Sequence, residues 1–300
     1  MNIVTQSRAR RREKICGTRA SSGGDYTDPI LKYPGAKWRI ASWITSFFPP
    51  HESYLEPYFG SGAVFFNKAP ARIETLNDVD GEIVHFFRMC RERPDELADA
   101  LRLTPWAREE REAAYEPAGD GIEQARRFAV RCWMSFGATP RKSNGWRFTS
   151  AKDTDGGPDN PKLWARMPGC IREASARLLE AQIENRPALD VIRRHNGRNV
   201  LIYTDPPYLK NTRSMHGDAY YHDEMTEADH EELLRALMAH TGMVILSGYD
   251  SDMYNDYLQG WHKETICTIA ERAAKRTECL WINHTAAEGL REGRAEQICL

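Results

Sequence analysis

The sequence predicts an α/β fold: a mostly parallel sheet with helices on both faces, interrupted by an inserted, mainly helical segment. Short apolar runs of strand character alternate with helical patterns, as in chained strand–helix–strand units. A glycine turn closes one early run, and an acid follows about twenty residues later, the spacing of a doubly wound nucleotide fold. Between about Pro94 and Ala174 the alternation fails, and helical stretches with turn-rich loops replace it.

The strand-like runs are Tyr54–Glu56, Ile73–Leu76, Ala181–Glu184, Val200–Tyr203, Met243–Ser247, Thr265–Ile269 and Cys279–Asn283. Helical patterns cover Lys37–Phe48, Gly81–Glu92, Ile122–Ser135 and Glu227–His240. The expected organisation is a basic, disordered tail over residues 1–27, a catalytic domain from 28–93 and 175–300, and a recognition domain over 94–174. Its 300 residues, 41% hydrophobic and 28% charged, suffice for a sizeable core. No apolar run approaches the ~18 residues that span a bilayer. Seven scattered cysteines read as reduced packing residues, and no His or Cys spacing suggests a metal site. A cytoplasmic, monomeric protein is expected.

Asp205-Pro206-Pro207-Tyr208 follows the apolar run Val200–Tyr203 and carries the most chemistry. The prolines fix φ and hold the preceding residues extended, so the Pro206 carbonyl can be aimed without reorganisation. A carboxylate and a carbonyl accepting the hydrogens of an amine on a flat ring would favour a pyramidal nitrogen, its lone pair directed at an electrophilic carbon. Tyr208 adds a stacking surface. Read blandly, the tetrapeptide is a tight turn after a buried strand.

Upstream, Tyr54-Leu55-Glu56-Pro57-Tyr58-Phe59-Gly60-Ser61-Gly62 reads as a strand, a glycine turn and a helix start, where backbone can approach a nucleotide-like ligand. Alone, Gly60 and Gly62 would read better as a structural turn than as a ligand site. Asp78, in Thr75-Leu76-Asn77-Asp78, is the acid that would grip ribose hydroxyls, which makes the ligand a nucleoside.

The net charge of −2 hides an uneven distribution. From Ile122 to Lys152 run Arg126, Arg127, Arg131, Arg141, Lys142, Arg147 and Lys152 against the single acid Glu123, with Trp133, Phe136, Trp146 and Phe148 interleaved. A surface of this kind can neutralise phosphates, with Arg126, Arg131, Arg141, Lys142 and Arg147 as candidates for DNA contact; the bland alternative is a solvated helix and loop. The run Arg8–Lys14 is either a phosphate-binding arm or a mere leader.

With Leu31-Lys32-Tyr33-Pro34-Gly35-Ala36-Lys37 in front, these motifs resemble, in order, those of the Dam-like (D12 class) DNA adenine methyltransferases over most of residues 31 to 283. Leu246-Ser247-Gly248-Tyr249 and Glu278-Cys279-Leu280-Trp281-Ile282-Asn283 resemble the family's late strands. Tyr33 stands where Trp is common, and Pro34-Gly35-Ala36 replaces a more usual Ala-Gly-Gly. The resemblance implies a Rossmann-like S-adenosylmethionine-dependent methyltransferase acting on the 6-amino group of an adenine flipped out of double-stranded DNA. It implies that Tyr33 and Lys37 approach the methionine end of S-adenosylmethionine or the target base. Glu56, Phe59, Gly60 and Gly62 would shape the cofactor pocket, Asp78 hold its ribose and Asn185 touch its adenine. Asp205 and Pro206 would accept the amino hydrogens beside Pro207, and Tyr208 would stack on the extruded ring. Lys37 could instead be a solvated helix-start lysine, and Glu56 a surface acid at a strand end. The partners that the resemblance implies are double-stranded DNA and a cognate restriction endonuclease. Two rival classes stay open on the sequence: methylation of RNA adenine or of a protein side-chain amide, and a non-catalytic nucleic-acid-binding subunit.

Overall fold

The computed structural model describes residues 28–136, 145–148, 159–209, 224–269 and 275–298. In chain order its elements are α1 (Ala41–Thr45), β1 (Ser53–Glu56), β2 (Ile73–Asn77), α2 (Gly81–Glu92), α3 (Pro94–Arg102), α4 (Arg108–Ala113), α5 (Gly121–Met134), α6 (Asn160–Trp164), α7 (Met167–Leu178), β3 (Gln182–Glu184), α8 (Ala188–Arg194), β4 (Val200–Thr204), α9 (Glu227–Met238), β5 (Met243–Tyr249), α10 (Asp252–Tyr257), β6 (His262–Ile269), β7 (Lys275–Ile282) and α11 (His284–Ile298).

Among the described residues the strands form one seven-stranded sheet in the order β3-β2-β1-β4-β5-β7-β6. Pairings from β3 through β5 are parallel, whereas β7 runs antiparallel to both β5 and β6. From β1 the chain moves outward through β2 to β3, then returns to lay β4 on the other side of β1. The order thus reverses between β1 and β4, and an open α/β sheet offers its ligand crevice at the carboxyl ends of the strands at such a point. Glu56 ends β1, and Asp205 follows β4.

Strand alternation splits the core into two apolar clusters. Tyr54, Leu201, Tyr203 and Ile245 belong to one, and Leu55, Ile202, Val244 and Leu246 to the other. The first also takes Phe86 and Phe87 of α2, Leu97 and Leu101 of α3, Phe128 and Trp133 of α5 and Ile171 of α7. The second takes Val191 and Ile192 of α8 and Leu233, Leu234 and Leu237 of α9. Both faces are therefore covered, as the alternation predicted.

Three local expectations differ from the structure. The helix expected over Lys37–Phe48 narrows to Ala41–Thr45, because residues 37–40 form turns and the Lys37 side chain reaches Asp205. The helix start expected after Gly62 is a single 3-10 turn, Phe65–Asn67, after which Lys68 is extended and ion-paired with Glu74. Asn283, expected as the last residue of its strand, lies just beyond the strand's end at Ile282. Its Oδ1 accepts from the backbone N–H of Val244 at 3.0 Å and of Ala286 at 2.9 Å, tying β5 to the start of α11. The tail over residues 1–27 lies outside the described residues.

Candidate active site

A cavity of about 330 Å³ opens at the β1/β4 crossover, within the usual range for small-molecule sites. Tyr33, Lys37, Glu56, Phe59, Gly60, Asp78, Asp205 and Pro207 all line it, so residues up to about 170 positions apart in sequence converge. Gly60 and Gly62 adopt φ of +52° and +71°, the left-handed region that a side chain strains to enter. A Cβ on Gly62 would also lie 2.6 Å from the Phe66 ring, so packing as well as conformation requires glycine there.

This turn holds Asp78 in place. The Gly60 N–H donates to Asp78 Oδ2 at 2.8 Å, and the Asp80 N–H donates to Oδ1 at 2.9 Å. Each carboxylate oxygen has lone-pair capacity beyond its backbone bond, which suits a vicinal diol. Asn185 donates to the carbonyls of Asp78 and Val79 at 2.8 and 3.0 Å, so it braces the acidic loop from behind. Val79, 46% exposed, adds apolar lining with Pro187, Ala188 and Leu189. Tyr33 Oη donates to Asp80 Oδ2 at 3.3 Å, and burial, reinforced by Asp78 and Asp80, raises its pKa and keeps the phenol protonated.

Facing the glycine turn stands a buried polar group. Lys37 Nζ lies 2.8 Å from Asp205 Oδ2 and donates to the Gly35 carbonyl at 2.6 Å. Burial works against its charge, but attraction to Asp205 and Glu278 prevails and raises its pKa. Lys37 is therefore no solvated helix-start residue. Among the described residues Asp205 Oδ1 is buried without a hydrogen-bond partner, which leaves an acceptor at the strand tip. Glu56 is likewise no surface acid. It is 2% exposed, accepts from Tyr54 Oη at 2.7 Å, and burial, with a contribution from Asp205, pushes its carboxyl up to about 8.

Tyr208, expected to stack on the target ring, is buried among polar and aromatic neighbours. It is 5% exposed, with Lys37 Nζ 4.8 Å from its ring centre and the Tyr249 ring edge-on at 4.5 Å. Its hydroxyl donates to Glu278 Oε2 at 2.8 Å. A guest base stacking on the face that Lys37 covers would have to displace it. Glu278, Asp80, Val79 and Leu189 were not singled out by sequence; Glu278 alone carried a signal, as the head of the late-strand motif.

The basic candidates scatter. Arg126 is bound to Glu123, Glu110 at 2.8 Å and Thr104 at 3.0 Å. Arg131 is 8% exposed, ion-paired with Glu82 and donating to the Ala114 carbonyl at 2.7 Å. Neither is presented to a duplex: acids remote in sequence, Glu82 and Glu110, draw them into the fold. Arg147 sits beside the isolated bridge Ser135↔Trp146, its Nε donating to the Ser135 carbonyl at 3.3 Å. Arg141 and Lys142 lie outside the described residues. Phe136 and Phe148, 47% and 64% exposed, flank the same region. No helix among the described residues is long and apolar enough to cross a membrane, and no group of three metal-ligating side chains occurs among them.

The family model for D12 class N6 adenine-specific DNA methyltransferases matches residues 33–277. A Type II methyltransferase, M1.LlaDCHI, of Lactococcus lactis subsp. cremoris is 23% identical over 253 residues, covering 76% of this chain and 85% of that protein. DNA adenine methylases of Escherichia coli (strain K12) and Haemophilus influenzae are 30% and 34% identical over 73 and 68 residues. Those two matches cover 24% and 22% of this chain, and only 26% and 23% of the relatives' own length. With a model match spanning the glycine turn, the acidic loop and the Asp205 tip, the chain belongs to the D12 class N6 adenine-specific DNA methyltransferase family.

Proposed function

We propose that this protein uses S-adenosylmethionine to methylate the 6-amino group of an adenine flipped out of double-stranded DNA at a short site. The observation that carries the reading is Asp205: a buried carboxylate at the β4 tip, with one oxygen held by Lys37 and the other without a partner among the described residues, lining the same cavity as the Gly60–Asp78 pair. The cavity suits the cofactor, because a doubly anchored carboxylate, a glycine turn and the exposed Val79 supply partners for ribose, backbone approach and an adenine face. S-adenosylmethionine, when bound, supplies a methyl group activated by its sulfonium.

The chain supplies alignment and electrostatics. Asp205 Oδ1 and the Pro206 carbonyl accept the amine's hydrogens and hold its lone pair toward the methyl carbon. As the nitrogen gains its methyl it must lose a proton, and Asp205 offers the acceptor. Asp78 holds the cofactor's ribose, Asn185 fixes the loop that carries Asp78, and Glu56, Phe59 and Tyr33 wall the pocket. Residues 94–174 serve as the recognition domain, with Arg141, Lys142 and Arg147 approaching the DNA backbone or a base edge. The protein acts as a monomer inside the cell.

Two variants test the reading against DNA whose methylated adenines have been mapped by sequencing. Asp205→Ala should nearly abolish methyl transfer and leave S-adenosylmethionine affinity largely intact. Asp78→Ala should weaken that affinity by roughly 1–3 kcal/mol in calorimetry, the usual loss of a charge-assisted hydrogen bond. Near-normal turnover by Asp205→Ala would remove that carboxylate from the chemistry.

A further inference from the structure

Glu278 lies outside the Asp-Pro-Pro-Tyr tip and outside the cavity lining, yet it touches the groups that do the work. The antiparallel pairing of β5 with β7 sets Glu278 opposite Tyr249. It is 8% exposed in a strand whose next residues, Cys279, Leu280 and Trp281, are apolar and buried. A charge in such a place is costly and contributes little to packing, so its partners matter. One is Tyr208, whose hydroxyl donates to Glu278 Oε2 at 2.8 Å and lies 3.4 Å from Ser247 Oγ. Another is Lys37, attracted by Glu278 while its Nζ sits 2.8 Å from Asp205 and 4.8 Å from the Tyr208 ring centre. Arg276 on the same strand also faces this carboxylate, while donating to Tyr249 Oη at 2.7 Å.

We propose that Glu278 is a positioning residue for methyl transfer: it anchors the Tyr208 hydroxyl and shares the charge of Lys37, so that Asp205 keeps a carboxylate oxygen able to accept the target amine's hydrogens. The inference rests on the reading of Asp205 given above. Lys37 contacts Asp205 directly and feels Glu278 as a second, more distant negative charge, which draws part of its field away and leaves Asp205 a stronger acceptor. The pair of carboxylates also meets the positive charge that develops on the amine as its bond to the methyl forms and the carbon–sulfur bond breaks toward sulfur. Burial, with a contribution from Asp205, raises the Glu278 pKa while Lys37, Tyr208 and Arg276 oppose that rise, so its protonation should mark the acid side of the rate profile before that of an exposed glutamate would.

The test uses the full-length enzyme, S-adenosylmethionine and a duplex carrying the mapped site. Glu278→Gln, which keeps shape and removes charge, should lower kcat roughly tenfold to a hundredfold, the scale of a slightly misplaced reacting group, with the cofactor dissociation constant and the KM for DNA nearly unchanged. The acid limb of its kcat profile should move to lower pH, since the group responsible is gone. Paired with Tyr208→Phe, its effect should be less than additive, because both act on one hydrogen bond: the glutamine takes away its charge assistance and the phenylalanine its donor. Should Glu278→Gln lose its cooperative melt, Glu278→Asp, which retains the charge, should recover the fold and part of kcat. Wild-type kcat and pH profile in Glu278→Gln beside an inactive Asp205→Ala would overturn the inference and spare the reading of Asp205. An active Asp205→Ala would overturn both.

Discussion

Glu56 differs from Asp205 although both carboxylates border one cavity, and the contrast is one of solvation. Asp205 has a lysine at 2.8 Å, whereas Glu56 is 2% exposed and has as its hydrogen-bond partner the Tyr54 phenol at 2.7 Å. Glu56 consequently holds its proton up to about 8 in the folded protein, while an unfolded chain releases it near the ordinary value of about 4.3. Between these values the folded state binds a proton that the unfolded state has lost. The contribution to stability is therefore full below the ordinary value and is lost as pH rises through about 8. Glu56→Gln should remove this dependence, which amounts to at most about 1.4 kcal/mol per pH unit. Thermal melts of the ligand-free protein should show the variant gaining on wild type between about pH 5 and 8. A constant difference across that range would mean that Glu56 is ionised in the fold.

At the scale of elements, α5 shows how a basic helix can be misread as a binding face. Asp120 caps it, its side chain accepting from the N–H groups of Ile122 and Glu123, and its buried face carries Phe128, Cys132 and Trp133. Its arginines meet Glu123 in the same helix, Glu110 in α4 and Glu82 in α2. Arg131→Ala should therefore act on stability, by roughly 3 kcal/mol for a buried pair broken on one side, while leaving the salt dependence of DNA binding unchanged. Replacing Arg141 and Lys142 together should instead flatten log K against log salt by about 0.9 per lost phosphate contact. Fluorescence anisotropy at several salt concentrations, with melts of the same variants, separates the two. A flattened salt slope in Arg131→Ala would return that residue to the DNA surface.

For the whole molecule, the helices of residues 94–174 do not close on a core of their own. Leu97, Leu101, Phe128, Trp133 and Ile171 share one apolar cluster with Phe86 of α2 and with Tyr54, Leu201 and Ile245 of the sheet. Trp133 Nε1 donates to the Ile30 carbonyl at 3.3 Å, and Trp164 Nε1 to that of Thr104 at 2.9 Å, so the aromatic layer is pinned on both sides. Residues 94–174 and the segments that flank them should then unfold together, since neither keeps a complete apolar interior without the other. Urea titrations followed by tryptophan fluorescence and far-ultraviolet circular dichroism should give coincident single transitions. Two separated midpoints would establish two independent units.

The sequence by itself determined the strands, the helix at Gly81–Glu92 and the strand-end positions of Glu56, Asp78 and Asp205. These follow from local signals: apolar alternation, glycine with positive φ, and proline stiffness. Strand order was not legible there, because parallel pairing joins distant segments, and the β1/β4 crossover that unites Gly60, Asp78 and Asp205 exists only once the sheet is assembled. Charge partners were not legible either. Arg131 reads as a free cation until α2 brings Glu82 to it, and Lys37 as a solvated one until Asp205 claims it. Tyr208 carried the right ring at the right place in sequence, but only the antiparallel β5–β7 pairing puts Glu278 on its hydroxyl. Backbone preference acts within a few residues and can be read along the chain; Coulomb attraction and burial act through space, so the roles of these charged side chains were decided by the tertiary structure.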